Sequence, residues 1–262
     1  MRKLLFLILL GAGLWSGYWF VGSSSIRQAV EDGFADAAAQ GLVAEKTALT
    51  IAGFPNRFDV TVEGLRLADP TTGAGLETPF LQVFAMTWKP WHVIAALAPE
   101  QTVTLPDQAV TLTSNGLRAS FRAKPSTDLP LAAIVLEANQ LMATSTAGWT
   151  VGTGRGVVSF SADEEVQGAG DAPNTYLFSG DLAGITPDPA FMTTLKGVTI
   201  QDLPASDLPE TIESLRAGIF LTFTAPLDRH AGEARPLLSG IDVSQFALTW
   251  GQLSATAKGQ VR

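Results

Sequence analysis

From Val43 onward, apolar and polar residues alternate with a period of two in run after run, and no other feature restricts the fold as much. Phe58, Val60 and Val62 alternate with Asp59, Thr61 and Glu63. Successive side chains of a β-strand point to opposite faces, so such a run makes a strand with one apolar and one polar face. Gly53, Phe54, Pro55 and Asn56 supply turn chemistry before it, and a first strand over 44–51 completes a hairpin. Further alternating runs cover 80–88, 101–105, 109–113, 117–122, 131–139, 157–161, 176–181, 217–224, 246–250 and 253–258. Short stretches rich in Gly, Pro, Asp, Asn or Ser separate them, the rhythm of an antiparallel meander.

Three interruptions read as short peripheral helices: 91–97, 189–195 with Asp188 as cap, and 209–215 with Asp207 as cap. The Pro- and Gly-rich stretch 168–173 reads as a loop. A glycine, an apolar residue and then a strand recur at Gly64, Gly116 and Gly240, where a bulge or bend would let a strand turn away. The expected fold is mainly β: a large curved antiparallel meander sheet with a few short helices. The last run is still alternating when the sequence stops, so a longer parent chain is an open expectation.

The N-terminus is of another kind. Arg2 and Lys3 precede 18 uncharged residues, Leu4 to Val21, about 27 Å of helix and close to a hydrocarbon core of about 30 Å. This predicts a transmembrane anchor over 1–22 and a β-rich domain over 23–262, with the positive head in the cytoplasm and the bulk across the inner membrane, in the periplasm. Trp15, Tyr18 and Trp19 are placed as an aromatic belt at the outer interface. A cleaved signal peptide is the rival reading, with Gly11 and Gly13 as its small residues, although cleavage there leaves a short apolar core and an aromatic-rich start. Next comes an amphipathic helix over 26–40, with Ser25 and Gln28 as a capping box, Gly41 as its stop, and a stripe of Ile26, Val30, Phe34, Ala37 and Ala38 that packs on the sheet.

Charge and composition narrow the chemistry. Charged residues are only 16% of the chain, the net charge is −8, and the basic residues are scattered singly in sequence, which argues against a nucleic-acid partner and against peripheral docking on anionic lipid. Cysteine is absent, which removes disulfides and thiolate chemistry, and the two histidines, His92 and His230, have no metal-ligand spacing. Gly152, Gly154 and Gly156 suggest a phosphate loop, but a strand rather than a helix follows, so a glycine-rich turn is preferred. Asp163, Glu164 and Glu165 lack the spaced ligands of a calcium loop and read as a solvated turn. His92 has no nucleophile motif beside it, and no serine elbow or zinc-protease motif occurs. No catalytic residue, cofactor or metal is expected. Phe80, Phe84, Met86 and Trp88, read as one face of one strand, are the candidate apolar groove, with ordinary core as the simpler account of the same side chains.

The stretch from Gly53-Phe54-Pro55-Asn56-Arg57-Phe58-Asp59 to Gly64-Leu65-Arg66-Leu67-Ala68-Asp69-Pro70, with Ile94-Ala95-Ala96-Leu97 later, resembles the bacterial domain of unknown function 2125 family. More distantly, the anchor, the helix and the Gly-Phe-Pro-x-Arg-Phe-Asp strand resemble the start of AsmA-like envelope proteins. That second resemblance implies an inner-membrane-anchored periplasmic protein whose curved, apolar-lined sheet holds or conducts lipid. The expected function is therefore non-enzymatic binding of lipid or another amphipathic molecule in a sheet groove; the alternative is a scaffold that binds envelope proteins through its sheet surface.

Overall fold

The apolar N-terminal run and the amphipathic segment behind it form one uninterrupted rod, α1 (Arg2–Ala39). The computed structural model describes residues 1–162, 174–195, 199–200, 203–204 and 208–261. The expected break and capping box at Ser25 are absent. Ser16 and Ser23 instead return their hydroxyls to the carbonyls of Ala12 (2.7 Å) and Phe20 (3.0 Å), a bond that tolerates helix continuation. The helix ends where Gly41 takes φ +84°, a conformation that glycine adopts without steric cost.

Among the described residues, 14 strands form one antiparallel sheet. In chain order they are β1 (Val43–Glu45), β2 (Ala48–Ala52), β3 (Arg57–Asp69), β4 (Ala74–Met86), β5 (Lys89–Leu97), β6 (Glu100–Leu105), β7 (Gln108–Thr113), β8 (Gly116–Ala123), β9 (Leu131–Ser145), β10 (Thr150–Ser161), β11 (Thr175–Thr186), β14 (Ile212–Phe223), β15 (Leu238–Trp250) and β16 (Leu253–Val261). A small hairpin, β12 (Thr199–Ile200) with β13 (Leu203–Pro204), and helix α2 (Pro189–Leu195) lie between β11 and β14, and α3 (Ala231–Ala234) between β14 and β15. The main path runs β1-β3-β4-β5-β8-β9-β10-β11-β14-β15-β16, with β2 also on β3. The β6–β7 hairpin bridges β4 and β9 a second time, so the path forks at β4 and rejoins at β9.

Several local expectations change under the pull of strand pairing. Residues 91–97 are strand, not helix: Val93, Ala95 and Leu97 have the period of two and pair with β4, which overrides the helical preference of the alanines. Residues 212–215 likewise open β14 rather than a helix. Gly152 to Gly156 lie inside β10, not in a turn; a side chain on Gly156 would come within 3.0 Å of a Leu182 methyl on the adjacent strand, so glycine there makes room for a neighbour. Of the three short helices expected, 189–195 alone forms, with the Asp188 carboxylate accepting from the N–H groups of Ala190 (2.8 Å) and Phe191 (3.1 Å). At Gly64, φ +57°, the buried positions pass from Phe58, Val60 and Val62 to Leu65, so the alternation slips by one. At Gly240 the β14–β15 register shifts beside it, while Gly116 simply begins β8. Residues 163–173, including the acidic triplet and the Pro- and Gly-rich loop, and Asp207 lie outside the described residues.

Candidate functional site: an apolar band on the helix side of the sheet

Residues directly opposed in an antiparallel pair share a face, so the register traces rows across the whole sheet. One row runs Val60, Val83, Ala95, Ala119, Leu136, Val158, Gly180, Ala217, Phe246, Ala257. The next runs Phe58, Ala85, Val93, Phe121, Ile134, Phe160, Phe178, Ile219, Val243, Gly259. Neither contains a polar side chain. Ten strands at about 4.8 Å make this band about 43 Å long. The opposite face reads differently along a parallel row: Thr61, Gln82, Ala96, Arg118, Glu137, Val157, Asp181, Arg216, Ala247, Thr256. Ion pairs between Arg118 and Glu137 (4.0 Å) and between Arg216 and Asp181 (3.6 Å) sit on it.

Helix α1 covers the first part of the apolar face. Its half-buried residues Ile26, Val30, Phe34 and Ala37 recur at helical spacing along β1 and β2. Trp19 stacks on Phe58 with centroids 6.0 Å apart, and beneath it Phe58, Val60 and Val62 are buried. Farther along the band the cover ends. Phe121, Ile134 and Leu136 are 45%, 41% and 43% exposed in the middle of a large sheet, where a closed core would leave them almost none. Along one edge of the band, on β10, β11 and β14, Phe160, Tyr176 and Phe223 form an aromatic cluster with centroids 5.2 to 6.4 Å apart, and the Tyr176 hydroxyl accepts from the Leu227 N–H at 2.8 Å.

Of the sequence-predicted groove residues, Phe80, Phe84 and Met86 oppose Glu63, Asp59 and Arg57. The structure therefore puts them on the polar face. Trp88 is beyond the end of β4, in the Thr87–Trp88 turn, so the four do not form one strand face. The helix-side residues of the same strand are Leu81, Val83 and Ala85. β4 is apolar on both faces, and only its register with the cleanly alternating β3 tells them apart.

The three belt aromatics come together as a clamp between helix and sheet. Trp15 Nε1 donates to the Pro55 carbonyl (3.0 Å), the Tyr18 hydroxyl to the Thr87 carbonyl (2.8 Å) and Trp19 Nε1 to the Arg57 carbonyl (2.7 Å). Trp19 is buried against the sheet, while Trp15 and Tyr18 keep an outward face.

Polar groups gather in two clefts. One, about 690 Å³, lies at the fork and holds Arg66 between Glu45 (3.3 Å) and Glu77 (2.9 Å), which raises the guanidinium pKa through those hydrogen bonds. The other, about 420 Å³, is lined by Lys89, Trp91, Arg122 and Lys124 with small residues around them. Strand pairing brings these cations together although they are scattered in sequence. His92 Nε2 is 3.1 Å from the Ser120 hydroxyl. Among the described residues no group of three His, Asp or Glu side chains is arranged to hold a metal ion.

No curated protein and no solved structure matches the chain. A family match covers residues 19–262, from the clamp at Trp19 through the last strand, and is described as an uncharacterized protein conserved in bacteria (DUF2125). The chain, with its long apolar-faced antiparallel sheet behind an N-terminal helix, thus belongs to the DUF2125 family.

Proposed function

We propose that this chain is a non-enzymatic protein of the cell envelope, anchored in the inner membrane by α1 with its bulk in the periplasm, that binds lipid or another amphipathic molecule along the helix-side face of its sheet. The observation that carries this reading is the band of two fully apolar rows across ten strands, with Phe121, Ile134 and Leu136 open in its middle. Exposed apolar surface of that extent marks an interaction site, and a band about 43 Å long accommodates extended acyl chains. The anchor is supported by α1 being long and apolar enough to cross a membrane, and by its first fifteen residues being exposed.

Adjacent residues on β9 supply the test. A photoactivatable benzophenone side chain at Leu136 should crosslink to phospholipid in cells, whereas one at Glu137, on the opposite face, should not. Equal labelling at both positions, or none at either, would end the groove reading and leave the scaffold alternative ahead.

A further inference from the structure

The clamp between α1 and the sheet fixes where the sheet stands relative to the bilayer. Measured along the helix from Leu4, the apolar run ends at Val21, about 26 Å on, which is already short of a hydrocarbon core of about 30 Å. The residues that grip the sheet are Trp15, Tyr18 and Trp19, at about 17, 21 and 23 Å on the same scale. With Leu4 at the cytoplasmic boundary, the backbone of Pro55, Arg57 and Thr87 is thus held below the far boundary. The helix is unbroken through this region, so no hinge lifts the sheet away.

What the sheet presents at that depth suits burial in lipid. Phe54 and Trp88, at the tips of the two loops the clamp holds, are 51% and 54% exposed, and the neighbouring Phe20 and Val21 of α1 are exposed as well. Phe20 stacks on Phe54 with centroids 5.6 Å apart, so helix and loop make one continuous apolar surface. Lys89 follows Trp88 directly and lines the cleft that also holds Arg122, which sets two cations beside the inserted loop, at the level of anionic headgroups.

We infer that this end of the sheet is sunk in the periplasm-facing leaflet of the membrane that α1 crosses, with Phe54 and Trp88 as its inserted side chains. The partner is the lipid surface itself. The inference rests on the anchor reading of α1 and is independent of whether the apolar band holds a ligand. It also gives that band a source, because Phe58, the first residue of its second row, stacks on Trp19 at the same depth.

The chain has no cysteine, so single-cysteine variants of the full-length protein can each carry one nitrobenzoxadiazole probe. Labels at Ile8→Cys, Phe54→Cys, Trp88→Cys and Leu105→Cys are compared in nanodiscs of phosphatidylethanolamine and phosphatidylglycerol containing shallow spin-labelled lipid. Leu105 is exposed and apolar but belongs to the hairpin beside Gly73, at the other end of β3 and β4, about 40 Å away along those strands. The expected result is blue-shifted emission and several-fold stronger quenching at Phe54→Cys and Trp88→Cys than at Leu105→Cys. If both loop probes match the Leu105→Cys probe while the Ile8→Cys probe is shielded in the bilayer, the inference fails and the anchor stands. If the Ile8→Cys probe is also in water, the anchor reading fails and takes the inference with it.

Discussion

Replacing Leu136 by aspartate separates an open apolar band from a closed core, because the two give opposite patterns of stability and binding. Leu136 is 43% exposed, so about half of a leucine's burial free energy, roughly 1 kcal/mol, is lost with its side chain. Aspartate in a central strand adds a penalty of up to about 1 kcal/mol, for a total of about 1–2 kcal/mol. In a domain of this size that is a fall in Tm of roughly 3–6 °C. The same change at Val60, 7% exposed under α1, buries an unpaired carboxylate and should cost several kcal/mol, enough to lose the fold. Bound lipid should respond in the other sense. A charge in the middle of the band interrupts both rows, so phospholipid that co-purifies with the wild-type protein should fall several-fold in the folded Leu136→Asp variant. Glu137→Leu, which removes the partner of Arg118 on the far face, should leave it unchanged. Thermal unfolding followed by circular dichroism, and lipid mass spectrometry on the same preparations, read both quantities. If Leu136→Asp destabilises as much as Val60→Asp, or keeps its full lipid load, the band is core and the reasoning is wrong.

Two further outcomes follow from the helices. Alkaline phosphatase fused behind Gln40, one residue past the end of α1, should be active and sediment with membranes; an inactive reporter would reverse the topology, and active reporter in the soluble fraction would mean cleavage of α1. Asp188 accepts N–H groups from Thr150, Ala190 and Phe191, the first being the largest cause of a pKa held below the ordinary 3.8. A carboxylate whose pKa is lowered by folding contributes stability above its unfolded value and loses it as pH falls through the folded one. Amide-exchange protection of α2 should therefore be constant above about pH 4 and decline only below it, and Asp188→Ala should abolish that step. A step of the same size in the variant would show that another group is responsible.

The strands were legible in sequence because alternation is local. Where each strand has one apolar face, as β3 does with Phe58, Val60 and Val62, the reading holds down to the individual residue. The band was not legible, because it exists only through register: nothing in Leu81, Val83 and Ala85 says that they continue into Val93 and Phe121 rather than face water. The bulk of Phe80 and Phe84 drew attention to the wrong face of β4, although their opposition to Glu63 and Asp59 follows from extending the β3–β4 hairpin register. The alanines at 95 and 96 misled in the same way, since helix propensity is a property of the residue while their place in β5 is decided by β4 and β8. Of the expected stripe, Ile26, Val30, Phe34 and Ala37 are half-buried toward the sheet, whereas Ala38 is exposed. That the stripe continues without pause from the apolar run was hidden by three serines, which cap some helices and run through others.

That continuity turns α1 into a lever. The rod of 38 residues is about 57 Å long, and it grips the sheet near its midpoint through Trp15, Tyr18 and Trp19 and again toward its end through Phe34 and Lys46. With α1 spanning the membrane as proposed, a tilt of its N-terminal half is a tilt of the whole sheet. Because an apolar helix adjusts its tilt to the thickness of the bilayer around it, a change of about 10° would swing the far end of the rod by about 10 Å. On the proposed anchoring, local membrane thickness would set the angle at which the sheet stands to the bilayer.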